Sequence, residues 1–270
     1  MDLGYLSPLP DETARAAEAV LGTENPYLRI GRRAAALLAE GLQNASLAGD
    51  APPPEAGFAV LALATLLQSA EKLTDRQMSY ATCTRLDLKY ALHLPLHFPG
   101  FSSARLCQFR QSLLTAPERL RRFQAVAAAL ASEGLVQCEA GSLAQAADML
   151  AEICALSRLE KMVEAFHQAL EAAAAHHADW LRDILLPRWY RQYASDHNAL
   201  SLPRQVQAQA EMARELGEDA RYFLQHAAQS PEIERLSEVQ NLRNECVRQY
   251  EPCPDGSFAW RACCCPFAED

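Results

Sequence analysis

Long apolar runs are missing from this chain of 270 residues. The longest, 58–67, contains Thr65 and is about half the length that a bilayer-crossing helix needs. Strand patterning is missing too. No stretch alternates β-branched and polar residues, so no sheet is expected. Glycine, at 11, and proline, at 15, are too few for a collagen-like or low-complexity chain. The hydrophobic share of 50% against a charged share of 22% excludes a disordered one. No glycine-rich phosphate loop is present. Met1-Asp-Leu-Gly4 offers no basic region ahead of an apolar core, so no signal peptide and a cytoplasmic location are expected. An excess of cations is also lacking: 25 Lys and Arg face 34 Asp and Glu, a net charge of −9. That excludes a protein coated in nucleic acid but leaves room for one local basic patch.

Cysteine is the one abundant oddity, with nine. Cys83, Cys107, Cys138 and Cys154 are scattered and fit small apolar core positions. Cys246, Cys253, Cys263, Cys264 and Cys265 crowd into the last 25 residues. An odd count without an export signal argues against a disulfide framework. The tail lacks the closely spaced cysteine pair of structural zinc sites, so no metal ligand is assigned there. His176 and His177 stand beside each other on an expected helix. They point about 100° apart and cannot easily share an ion. No cofactor and no catalytic residue is assigned.

What is present is helix. Pro10-Asp11-Glu12 opens one helix and Gly22 closes it. An amphipathic stretch follows at 29–42 and a strongly apolar helix at 55–72, separated by a break at Pro52-Pro-Pro54. Thr74-Asp-Arg-Gln77 fits a capping box opening a helix to about Arg85. The stretch 86–94 continues it or adds a turn, and Pro95, Pro99 and Gly100 enforce a loop. Ser102 caps the next helix, 118–132 forms another, and Gly134 stops that one. Ser142 caps a long helix through Ala175, with Leu143, Ala147 and Leu150 at helical spacing. Pieces at 177–186 and 189–194 surround Pro187, with Trp189, Tyr190 and Tyr193 expected in the core. Pro203 begins a helix that Gly217 ends, and 219–228 and 231–250 complete the set. The expected fold is an all-α, multi-helix bundle with a helix-turn-helix-like N-terminal region and an irregular Cys-rich tail. Its expected divisions are 1–135, 142–250 and 251–270.

Residues 70–125 differ in charge from the rest. Nine cations (Lys72, Arg76, Arg85, Lys89, Arg105, Arg110, Arg119, Arg121 and Arg122) face four anions (Glu71, Asp75, Asp87 and Glu118), a local charge of +5. A basic helical segment in an acidic chain is what a small DNA-reading module needs. A solvated helical face is the plainer alternative. Leu106, Phe109 and Leu113 share one helical face, so Arg105, Gln108 and Ser112 point away from the core and Arg110 flanks it. Arg and Gln pair bidentately with guanine and adenine edges in the major groove. Arg105 and Gln108 are therefore the expected base readers. Arg76, Arg85, Lys89 and Arg110 are the expected phosphate contacts.

Leu73-Thr-Asp-Arg-Gln77, Arg85-Leu-Asp-Leu-Lys-Tyr-Ala-Leu92, Phe98-Pro-Gly-Phe-Ser102 and Leu106-Cys-Gln-Phe-Arg-Gln-Ser-Leu-Leu114 come in a characteristic order. In these motifs the chain resembles the InsH-type N-terminal domain of insertion-sequence DDE transposases. Asn25-Pro-Tyr-Leu-Arg29, Ser157-Arg-Leu-Glu160, Ala178-Asp-Trp-Leu181, Trp189-Tyr-Arg-Gln-Tyr193 and Leu202-Pro-Arg204 extend the resemblance in family order. The resemblance implies duplex DNA, such as inverted-repeat ends, as a partner. It also implies self-association or association with a full-length transposase, and no membrane. The family's strand transfer needs three carboxylates around two metal ions. Counting back from Ser157-Arg-Leu-Glu160, Gln145 stands where the first aspartate belongs, with Asp148 three residues later. The other two carboxylates are expected beyond Asp270. The resemblance therefore implies DNA binding, as a regulator or remnant, without strand transfer. An all-helical interaction scaffold that has lost DNA contact is the alternative.

Overall fold

A computed structural model describes residues 6–47, 57–136, 141–193, 202–253 and 257–261. The proline break at 52–54, Cys138 and the three adjacent cysteines of the tail lie outside them. Thirteen helices and one two-stranded sheet make up the described secondary structure. The fold is all-α, as expected, and no described helix is long and apolar enough to cross a membrane. The chain forms two compact units, Met1–Cys154 and Ala155–Asp270. Their boundary falls inside a helix.

The first unit contains α1 (Asp11–Leu21), α2 (Pro26–Leu47), α3 (Phe58–Glu71), α4 (Asp75–Thr84), α5 (Leu86–Ala91), α6 (Ser103–Thr115) and α7 (Pro117–Ser132). α3 is buried on nearly all sides, as a helix with little polar surface must be. Leu63 and Leu66 of α3, Leu106 and Leu113 of α6, and Phe123 and Val126 of α7 share one core. α2 packs along α7 and α5, while α6 packs on α4, α3 and α7.

The long helix α8 (Leu143–His176) opens on a capping box: the Gln145 amide donates to Ser142 Oγ (3.2 Å) and the Ser142 amide donates to Gln145 Oε1 (3.0 Å). The second unit adds α9 (Ala178–Ile184), α10 (Pro187–Tyr193), α11 (Val206–Ala227), α12 (Pro231–Glu234) and α13 (Ser237–Gln249). Phe166 is its aromatic hub, edge-on to Trp189, Tyr193 and Phe223 at 5.2, 4.9 and 5.9 Å between ring centroids. Trp189 and Tyr193 are thus core residues as expected, whereas Tyr190 is exposed.

Three expectations for the second unit need correction. The stretch 231–250 is not one helix but two, α12 and α13, interrupted at Arg235 and Leu236. Gly217 does not end a helix, because α11 runs straight through it. A Cβ there would come within 2.5 Å of the Tyr250 ring, so the residue is glycine to admit that ring. The region after Pro252 is not wholly irregular either. β1 (Tyr250–Pro252) pairs antiparallel with β2 (Phe258–Trp260), Tyr250 opposite Trp260. Arg158 of α8 secures this hairpin: Nε donates to Gln249 Oε1 (2.6 Å), Nη1 donates to the Arg261 carbonyl (3.0 Å), and the guanidinium lies 4.5 Å from the Trp260 ring centroid.

Candidate nucleic-acid interface

The basic segment is built on α4, α5 and α6. Thr74 and Gln77 close the expected capping box of α4 (3.1 and 3.0 Å), and Ser102 Oγ accepts from the Arg105 amide at the start of α6 (3.2 Å). The connection between these helices is long but well tied. Thr13 Oγ1 donates to the Leu94 carbonyl (2.9 Å), and the Phe101 amide donates to Thr82 Oγ1 (3.3 Å). Gly100, at φ +92°, closes it; a Cβ there would lie 2.5 Å from the Ser79 carbonyl oxygen.

The six expected DNA contacts separate into two groups. Arg110 lies inside, 0% exposed. Its Nη2 donates to Asp75 Oδ2 (2.6 Å) and its Nη1 to Gln68 Oε1 (3.3 Å), and Gln68 Nε2 donates to Asp75 Oδ1 (2.9 Å). Burial opposes the guanidinium charge, and the bond to Asp75 with its charge outweighs it, so the Arg110 pKa is raised. This network joins α3, α4 and α6, and Arg110 does not face phosphate.

Lys89 is also inside, 6% exposed, with Nζ donating to the Leu96 carbonyl. Arg85 is half-buried between two carboxylates. Its Nη1 donates to Glu71 (2.5 Å), and its Nε and Nη2 donate to Asp87 (3.1 and 2.8 Å). The same Glu71 accepts from the Tyr27 hydroxyl. Burial, then the Glu71 hydrogen bond, pushes the Tyr27 pKa up to about 12. For Arg110 a helical wheel misplaces the cation because Asp75 and Gln68 lie on other helices, whereas Arg85 and Lys89 are drawn in by Glu71, Asp87 and the Leu96 carbonyl.

Arg76, Arg105 and Gln108 are exposed, as expected of DNA contacts. Among the described residues, neither the Arg105 guanidinium nor the Gln108 amide is bonded to another side chain or to backbone. The other cations of the segment are mostly engaged. Lys72 meets Glu152 (2.7 Å), Arg121 pairs with Glu118, Arg122 is buried, and the Arg119 guanidinium lies 5.6 Å from the Phe58 ring centroid. The local charge of +5 thus reaches the surface at few points.

One exposed residue went unmarked in the sequence reading. Tyr80, 71% exposed, stands one turn after Arg76 on α4. The four-residue spacing was the available signal, since i and i+4 share a helix face. Gln145, in the place of the expected aspartate, closes the capping box of α8 with Ser142 and lies on no strand. Among the described residues no three His, Cys, Asp or Glu side chains group closely enough to hold a metal ion. The chain matches no family model, no curated protein and no solved structure.

Proposed function

We propose that this chain is a transposase-derived helical protein that binds duplex DNA through α6 and carries out no strand transfer. Arg105 and Gln108 read base edges, and Arg76 contacts phosphate. The observation that carries this reading is the pair Arg105 and Gln108. They are three residues apart on one helix, exposed, and uncommitted to any described neighbour. They stand on a helix whose inner face is clamped by the buried Arg110–Asp75 pair. A recognition helix needs both properties: polar groups held outward, and a fixed angle on its supporting helix. The order of the transposase-like motifs supports the same reading, and Gln145 in a capping box supports the loss of strand transfer. Full-length protein titrated against labelled duplex DNA at about 50 mM salt, where phosphate contacts are strongest, tests it by fluorescence anisotropy. Absence of binding there sinks the reading.

The second reading is an interaction scaffold without DNA contact. It is favoured by the neutralisation of Lys72, Arg85, Arg110 and Arg121 by carboxylates. The same titration separates the two.

A further inference from the structure

The second unit holds a cavity of about 520 Å³ between α11, α13 and the β1–β2 hairpin. That is within the range of small-molecule pockets. Its walls are largely apolar, with Leu224, Val247, Pro252 and Phe258 among them, and no Asp or Glu of the described residues lines it. Three arginines do: Arg221, Arg243 and Arg261.

Two of these are committed. Arg243 Nη2 donates to both oxygens of Glu234 (2.7 and 2.9 Å). Arg261 donates to the Tyr250 carbonyl (3.1 Å), to the Val247 carbonyl (3.4 Å) and to Glu251 (3.4 Å). Arg221 is not committed. It is half-buried, and among the described residues it meets no carboxylate and makes no hydrogen bond; its Nε is buried without an acceptor. The remaining polar groups of the wall add no charge. Burial pushes the Cys246 thiol up to about 12, and the Tyr250 hydroxyl is committed to the Ala213 carbonyl (2.7 Å).

Among the described residues, three guanidiniums against two carboxylates leave one positive charge beside an apolar cavity. We infer that this cavity binds a small monocarboxylate with an apolar body, its carboxylate on Arg221 and its body against Leu224, Val247 and Phe258. A guanidinium fork matches a carboxylate in shape as well as charge. A dianionic phosphate suits the site less well, since Glu234 and Glu251 already balance the other two arginines.

Calorimetric titration of the full chain with decanoate, and with decanol as its uncharged counterpart, tests the inference. Decanoate is expected to bind saturably, one per chain, and decanol at least about tenfold more weakly, the loss of a charge-assisted pair. Arg221→Met keeps the apolar stem and is expected to bring decanoate down to the level of decanol. Val247 is 68% exposed, so Val247→Asp does not depend on refolding the core. It sets a negative charge at the rim and is expected to weaken decanoate while sparing decanol. No saturable decanoate binding up to about 1 mM overturns the inference. So does equal binding of decanol, or unchanged decanoate binding in both variants.

Discussion

Arginine is used in opposite ways in the two units. In the first, Arg110 is buried on a carboxylate and a carboxamide, and its charge serves to hold helices together. In the second, Arg221 lines a cavity with no described carboxylate against it. Both are arginines of amphipathic helices, and the sequence around them does not distinguish them. The difference lies in what the other elements bring. α4 brings Asp75 to Arg110, whereas the hairpin brings Pro252 and Phe258 to the side of Arg221. Net local charge is therefore a poor guide to how many cations stay unpaired once the chain has folded.

The comparison breaks first on stability. Arg110→Ala leaves Asp75 buried without its cation and is expected to cost about 3–5 kcal/mol. Arg221→Ala orphans no described acid and is expected to fall within about 0.5 kcal/mol of the parent. Urea unfolding of the two variants measures both. Equal losses would mean that the two arginines are not used differently. Replacing both partners, as Arg110→Met with Asp75→Leu, should recover much of the loss, because a buried pair is less costly to replace than to halve.

Gly217 tests how closely the second unit is packed. Gly217→Ala sets a Cβ against the Tyr250 ring, and such overpacking costs about 1–3 kcal/mol. The gain in helix propensity, about 1 kcal/mol, opposes it. A net loss in thermal or urea unfolding is expected. A stabilised variant would mean that the ring yields and that Gly217 is incidental.

These cases show what the sequence made legible. Caps are local, so Thr74 with Gln77 announced α4 from four residues and Ser142 alone announced the start of α8; the part that Gln145 plays in that cap shows only in the fold. Gly217 misled because its reason is a ring 33 positions away, and a glycine kept for contact looks like a glycine kept for a stop. The hairpin escaped because three-residue strands carry no measurable alternation. At the candidate interface, Arg105 and Gln108 were placed correctly outside because Leu106, Phe109 and Leu113 define the inner face of α6. Arg110 is next to Phe109, and its length lets it reach inward to Asp75, 35 positions earlier. No helical wheel contains that partner.

Alkaline pH probes the first unit further. The folded Tyr27 pKa is raised from 10.0 to about 12, so the fold holds the neutral phenol. Its contribution is fully present below pH 10, where both states are protonated. It declines as the pH rises through 10 towards 12, because the unfolded state then binds fewer protons. Urea midpoints should fall over that window, and Tyr27→Phe should flatten the fall. An unchanged slope in the variant would remove Tyr27 from the account.

The finest contrast lies among α4, α5 and α6. Arg105→Ala is expected to lose about 1–3 kcal/mol of discrimination between DNA sites, with little change in nonspecific affinity. Arg76 and Lys89 were both expected phosphate contacts, but only Arg76 is at the surface. Arg76→Ala should weaken binding to all duplexes alike and lower the slope of log affinity against log salt by roughly one unit. Lys89→Met should leave that slope unchanged, since its ammonium is held by the Leu96 carbonyl and releases no counterion from DNA. Its effect should appear in unfolding instead, through the connection that Lys89 ties. Anisotropy titrations at several salt concentrations separate the two. If Lys89→Met lowers the slope as much as Arg76→Ala does, the lysine reaches DNA, and the division of cations between interior and interface fails where it is drawn most finely.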